Sequence, residues 1–127
     1  GYDGVIGIEI RGASSQGFPK NNFGFETRLS NGENNNVSLL GMPSENDWVL
    51  HGPYSDKSLL RNSLAYHMGS QTGQYTPRTH LCELYVNTDY RGVYMLTEKI
   101  KRDKNRVDIA NLKSDDVSGE ELTGGYL

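Results

Sequence analysis

Leu81-Cys82-Glu83-Leu84-Tyr85-Val86, then Asn87 to Arg91, then Gly92-Val93-Tyr94-Met95-Leu96-Thr97, is the stretch on which the fold turns. The first run alternates, with Leu81, Glu83 and Tyr85 on one face and Cys82, Leu84 and Val86 on the other. Period-two alternation is the signature of a half-buried strand. The polar turn and the apolar return run complete an antiparallel hairpin.

Outward from this hairpin the same pattern recurs. Val5 and Ile6, Ile8 and Ile10 are β-branched, and the isoleucines alternate with Gly7 and Glu9, which reads as a strand. Phe23-Gly24-Phe25-Glu26-Thr27-Arg28-Leu29 reads as a second, and Asn31-Gly32 after it is a turn dipeptide. Residues 30–36 are polar and placed in an exposed loop. Val37–Leu40 is read as a strand end, and Trp48-Val49-Leu50 as a short buried segment.

One helix is predicted, over about residues 56–71. Ser55 or Asp56 caps its first amides. Leu60, Leu64 and Met68 form its apolar stripe, flanked by Leu59 and Tyr66, and Gly69 or Gly73 ends it. The fold class expected is therefore α+β: a twisted, mostly antiparallel sheet with one main helix between strand groups.

Composition narrows the function. The 127 residues fit a single domain. A net charge of -3 gives no support to nucleic-acid binding by bulk charge. No apolar run approaches the roughly 18 residues of a membrane span, and mean hydropathy is -0.66. One cysteine, Cys82, makes neither an internal disulfide nor a cysteine zinc cluster. The opening Gly1-Tyr2-Asp3 lacks the pattern of a signal peptide. Gly124-Gly125-Tyr126-Leu127 is expected to begin a further strand.

Few segments carry chemistry. Arg11-Gly12-Ala13-Ser14-Ser15-Gln16-Gly17 follows a strand and is rich in small residues. Backbone amides approach an anion closely only where side chains are small, so this loop suits phosphates as well as a plain hairpin turn. It matches neither the P-loop nor the dinucleotide-binding fingerprint. His51, His67 and His80 show no metal-ligand spacing and read as structural imidazoles. No nucleophile elbow occurs. Lys99 to Arg106 reads as a solvated charged segment or a site for an acidic partner. Glu98, at the exit of the apolar run, either pairs with Arg or Lys or edges a cleft. Arg61 and Asn62 sit on the helix beside its stripe.

Taken together, these segments resemble the CotH kinase family, named for spore-coat protein H. The resemblance lies in Ile8-Glu9-Ile10-Arg11-Gly12-Ala13-Ser14-Ser15 and Pro19-Lys20-Asn21-Asn22-Phe23-Gly24-Phe25-Glu26. It continues in Leu40-Gly41-Met42-Pro43, Asp47-Trp48-Val49-Leu50 and Tyr54-Ser55-Asp56-Lys57-Ser58-Leu59-Leu60-Arg61-Asn62. It closes with Glu83-Leu84-Tyr85-Val86-Asn87, Arg91-Gly92-Val93-Tyr94-Met95-Leu96-Thr97-Glu98-Lys99-Ile100 and Gly124-Gly125-Tyr126.

The resemblance implies an atypical kinase fold and phosphate transfer from ATP, with Mg or Mn, to Ser of secreted or spore-surface proteins. It implies an extracytoplasmic setting. Residues 1–127 would form the N-terminal lobe. Arg11 would meet the nucleotide phosphates, supported by Gly12, Ser14 and Ser15, with Lys20 as a second cation. Leu96, Thr97 and Glu98 would form the hinge beside adenine. The metal-holding carboxylates and base that phosphoryl transfer needs would lie in a second lobe. This chain therefore has no expected catalytic or metal-ligating residue, no cofactor bound by itself and no activity alone. Its partner would be a Ser-bearing protein, with a dimer through the exposed interlobe face. A different class also fits: a non-catalytic surface module for protein or glycan contact, with Tyr2, Tyr54, Tyr75 and Tyr90 on its surface.

Overall fold

The computed structural model describes residues 1–119. The Gly124-Gly125-Tyr126 segment, and the strand expected there, lie outside the described residues. The elements run β1 (Val5–Arg11), a 3-10 turn (Ser14–Gly17), β2 (Asn22–Arg28), β3 (Asp47–His51), α1 (Arg61–Ser70), β4 (Thr79–Val86) and β5 (Asp89–Glu98). One five-stranded antiparallel sheet holds all the strands, in the order β1-β2-β3-β5-β4.

Directly paired residues of antiparallel strands share a face. Phe25 lies opposite both Ile8 and Trp48, Leu50 opposite both Phe23 and Leu96, and Tyr94 opposite Cys82. One face therefore collects the isoleucines, Phe23, Phe25, Trp48, Leu50, Tyr94 and Leu96. The loop between β2 and β3 lays Leu39 and Met42 over this face and closes the core. Thr27 anchors that loop: its Oγ1 donates to the Asn35 carbonyl at 2.6 Å, and its N–H to the Asn46 carbonyl at 2.9 Å. Val37 forms only an isolated bridge with Glu45.

The expected α+β class is overturned. The chain is mostly sheet, and its one α-helix has ten residues rather than the span 56–71. The physical reason lies in residues 56–60. The Asp56 carboxylate accepts the N–H and hydroxyl of Ser58 and the N–H of Arg61, which builds a capped turn in place of a first helical turn. Leu59 then has a φ of 61°, in the left-handed region that no α-helix of L-residues sustains. The helix buries no residue, and its main contact with the sheet is at the edge strand β4. Leu64 and Met68 remain 57% and 63% exposed. A ten-residue helix with an exposed stripe does not make a second structural layer, so the kinase-lobe architecture expected of the sequence is not what forms. Among the described residues, no helix is long and apolar enough to cross a membrane.

Candidate functional site

The second face of the sheet carries Glu9, Arg11, Glu26, Val49, His51, Met95 and Thr97, by the same register. Three connected hollows open on this face, and Arg11 and Val49 line all three. The central groove, about 340 Å3, has Val49, Met95 and Thr97 at its floor. Its walls include His51, Asn62 and Lys99. Where β1 ends, Gly12, Ser15 and Asn22 join Arg11 and His51 around a smaller hollow.

Local sequence explains the loop. Gly12 adopts a φ of +110°, and a Cβ there would clash with Ser15 Oγ. Glycine is therefore required for the chain to turn from β1 into the 3-10 turn. Gln16 Nε2 donates to the Gly12 carbonyl, and Gln16 N–H to the Ala13 carbonyl. Phe18 packs on Tyr54, ring centroids 5.2 Å apart, which ties the loop to the segment after β3. Asn22 Oδ1 accepts the Gly52 N–H at 2.8 Å and fixes the other side of the hollow.

The sequence-predicted residues separate into two groups. Arg11, Gly12, Ser15 and Thr97 come together around the groove system. Ser14 stands in the same 3-10 turn but lines none of these hollows. Lys20 is engaged elsewhere: its Nζ donates to the Val93 carbonyl at 2.6 Å and lies 4.8 Å from the Tyr94 ring centroid. Burial there lowers its pKa from the ordinary lysine value. Leu96 belongs to the core of the opposite face. Glu98 borders the groove, but its carboxylate is fully buried and takes the Arg78 Nη1 at 2.9 Å, the Arg78 N–H and the Tyr75 hydroxyl.

Glu98 is one corner of a buried charged cluster that holds the chain after β5. Arg106 lies 3.5 Å from Glu98 and 3.7 Å from Glu45, and donates to the carbonyls of Asp47 and Lys99. Its guanidinium sits 5.0 Å from the Trp48 ring centroid. Lys101 bridges Glu45 and Asp47 at 2.6 and 2.5 Å. Burial alone would raise the Asp47 pKa, but Lys101 and Lys99 outweigh it and hold the carboxyl below its ordinary value. The basic segment expected to be solvated thus contributes three of its cations, Lys99, Lys101 and Arg106, to the fold.

His51 and Asn62 are the site residues that reading the chain locally passes over. His51 Nε2 and Asn62 Nδ2 are 3.2 Å apart. Burial, then Arg11 and Lys20, lower the His51 pKa against an opposing pull from Asp56. The available signal was alternation: Asp47, Val49 and His51 share one face of a short strand. Chemically, the groove offers a guanidinium, a hydroxyl and small-residue amides for an anion. Beside them, Val49 and Met95 offer an apolar floor for a flat ring. Among the described residues, no group of three or more His, Cys, Asp or Glu side chains comes together to hold a metal ion.

The family model described as CotH kinase protein matches residues 8–123. No curated protein matches the chain.

Proposed function

The chain belongs to the CotH kinase family, and from that premise we propose that its groove binds the phosphates of ATP for transfer to a Ser hydroxyl of a secreted or spore-surface protein. The observation that carries the reading is the position of Arg11. It is the last residue of β1, lines all three hollows on the open face and has Gly12 and Ser15 beside it. An arginine fork binds phosphate oxygens in pairs, and small-residue amides supply donors without a steric barrier. Val49 and Met95 would receive the adenine ring, with Thr97 at its edge. Phosphoryl transfer rests on positioning and on electrostatic stabilisation, and a divalent metal supplies part of the latter when bound. The described residues do not assemble a metal-holding group, so the proposal gives this segment nucleotide binding and no step of the chemistry. The metal-holding carboxylates and the base would come from the rest of a whole kinase.

The surface-module reading has less support. Tyr75 donates to Glu98, Tyr2 to the Val5 carbonyl and Tyr90 to Glu83, while Tyr54 packs on Phe18, so all four tyrosines have internal contacts.

Arg11→Ala in the whole kinase tests the reading. ATP-dependent labelling of a Ser-bearing protein should fall at least 100-fold, while the far-UV circular dichroism spectrum is unchanged. Retained labelling would remove Arg11 from the mechanism. The isolated 127-residue chain should show no autophosphorylation.

A further inference from the structure

We propose that His51, held by Asn62, is a second contact for the bound phosphates, sharing the groove with Arg11, and that it takes up a proton from solvent when they bind. The inference rests on the nucleotide-binding reading above and deepens it.

Three observations support it. First, His51 lines both the central groove and the hollow beneath the Gly12–Ser15 loop, the only one of the three histidines to line either. Second, it is held from the helix side. The Asn62 amide lies within 3.2 Å of Nε2 and orients the ring. An amide both donates and accepts, so Asn62 can satisfy Nε2 whether that nitrogen is bare or protonated. In both states Nδ1–H remains available as a donor to a phosphate oxygen.

Third, the charges around the ring favour an anion. Arg11 from β1, Lys20 from the segment before β2 and Lys99 after β5 are the cations on this side. Asp56, before α1, is the acidic group that acts on the ring, and it is occupied by Ser58 and Arg61. Tyr66 of α1 and Glu98 of β5, whose carboxylate is taken by Arg78 and Tyr75, complete the titratable groups of the groove. With no ligand, burial, then Arg11 and Lys20, disfavour the imidazolium against an opposing pull from Asp56. A polyphosphate on Arg11 adds negative charge beside the ring, and an anion within about 4–6 Å favours the imidazolium.

The test is an NMR titration of the imidazole resonances of the whole kinase. It is run without ligand, with millimolar ATP and with millimolar tripolyphosphate, which lacks the ring. A His51→Gln variant assigns the His51 signals, and the rest of its spectrum reports whether it folds. The expected result is a rise of the His51 pKa by roughly one unit or more with either ligand, with His67 and His80 unmoved as internal controls. In Asn62→Ala, the rise should shrink by at least half. If ATP shifts the amides of Gly12, Ser15 and Val49 but leaves the His51 pKa in place, the inference fails and nucleotide binding stands. If neither ligand shifts any of these amides, the nucleotide-binding reading fails and this inference fails with it.

Discussion

The two faces of the sheet come from the same alternating strands, yet over β3 and β5 one is sealed by the loop before β3 and the other bears a groove. On the sealed face, Trp48, Leu50, Tyr94 and Leu96 pack beneath Met42 and Leu39. The charged cluster of Glu45, Glu98, Lys101 and Arg106 closes its rim, and Lys101 ties that cluster to Asp47 on the other face. On the open face, Arg11 and His51 stand over Val49 and Met95, with α1 leaning in only from the side. The difference teaches where each kind of constraint acts. Residues of the sealed face, with Val49 and Met95 beneath the groove, hold the fold, and Arg11 and His51 above them are free to be chosen for a ligand.

The sharpest way to break this comparison is Trp48→Ala. Trp48 is fully buried, faces Phe25 and Glu98 across the strands and stacks under Arg106. Truncating a buried tryptophan typically costs about 3–5 kcal/mol. That is a large share of the roughly 5–15 kcal/mol by which domains are stable. Urea denaturation should therefore show a much reduced or absent folding transition. A loss under about 1 kcal/mol would mean that the sealed face does not carry the fold.

A smaller effect is expected from acid. The Asp47 carboxyl is held below its ordinary value by Lys101 and Lys99. A lowered carboxyl contributes stability that is present above the ordinary carboxylate value and is lost as pH falls through the still lower folded value. The Lys101 pKa is raised: burial opposes this, and Asp47 and Glu45 outweigh burial. Its contribution is full below the ordinary lysine value and is lost as pH rises through the folded one. The melting temperature should thus stay level through neutral pH and fall below about pH 4. Asp47→Asn should flatten the acid fall. An unchanged acid limb in that variant would show that the cluster does not close the rim.

How far the chain could be read in advance follows the same division. Four strands were legible because alternation needs only neighbours in sequence: Ile6 to Ile10, Phe23 to Arg28, Leu81 to Val86 and Gly92 to Thr97. The helix was misjudged, because a stripe such as Leu60, Leu64 and Met68 says which residues align, not whether anything covers them. Its start was misplaced because Asp56 caps at a distance of five residues while Leu59 turns left-handed. Arg11, Gly12 and Ser15 were legible as a local run of small residues after a strand. His51 and Asn62 were not, since they meet only once β3 and α1 are placed in space. For the same reason Arg106 read as solvated: its partners Glu45 and Glu98 come from distant parts of the chain.

The smallest expected effect sharpens the comparison most finely, because it concerns a hydrophobic residue on the open side. Leu64 lies in α1 at the centre of an apolar stripe, a position at which a packed helix would bury it. Here it is 57% exposed, against 6% for Leu96 in the core. Glutamine has nearly the helix propensity of leucine, so Leu64→Gln changes polarity with little change in backbone preference. Surface substitutions of this kind fall within about 0.5 kcal/mol, and denaturation of the 127-residue chain should show a change no larger than that. A loss of about 2 kcal/mol or more would mean that the stripe is covered in solution. The open face would then be a second sealed one, and the groove beside Asn62 would be held by packing rather than left free for a ligand.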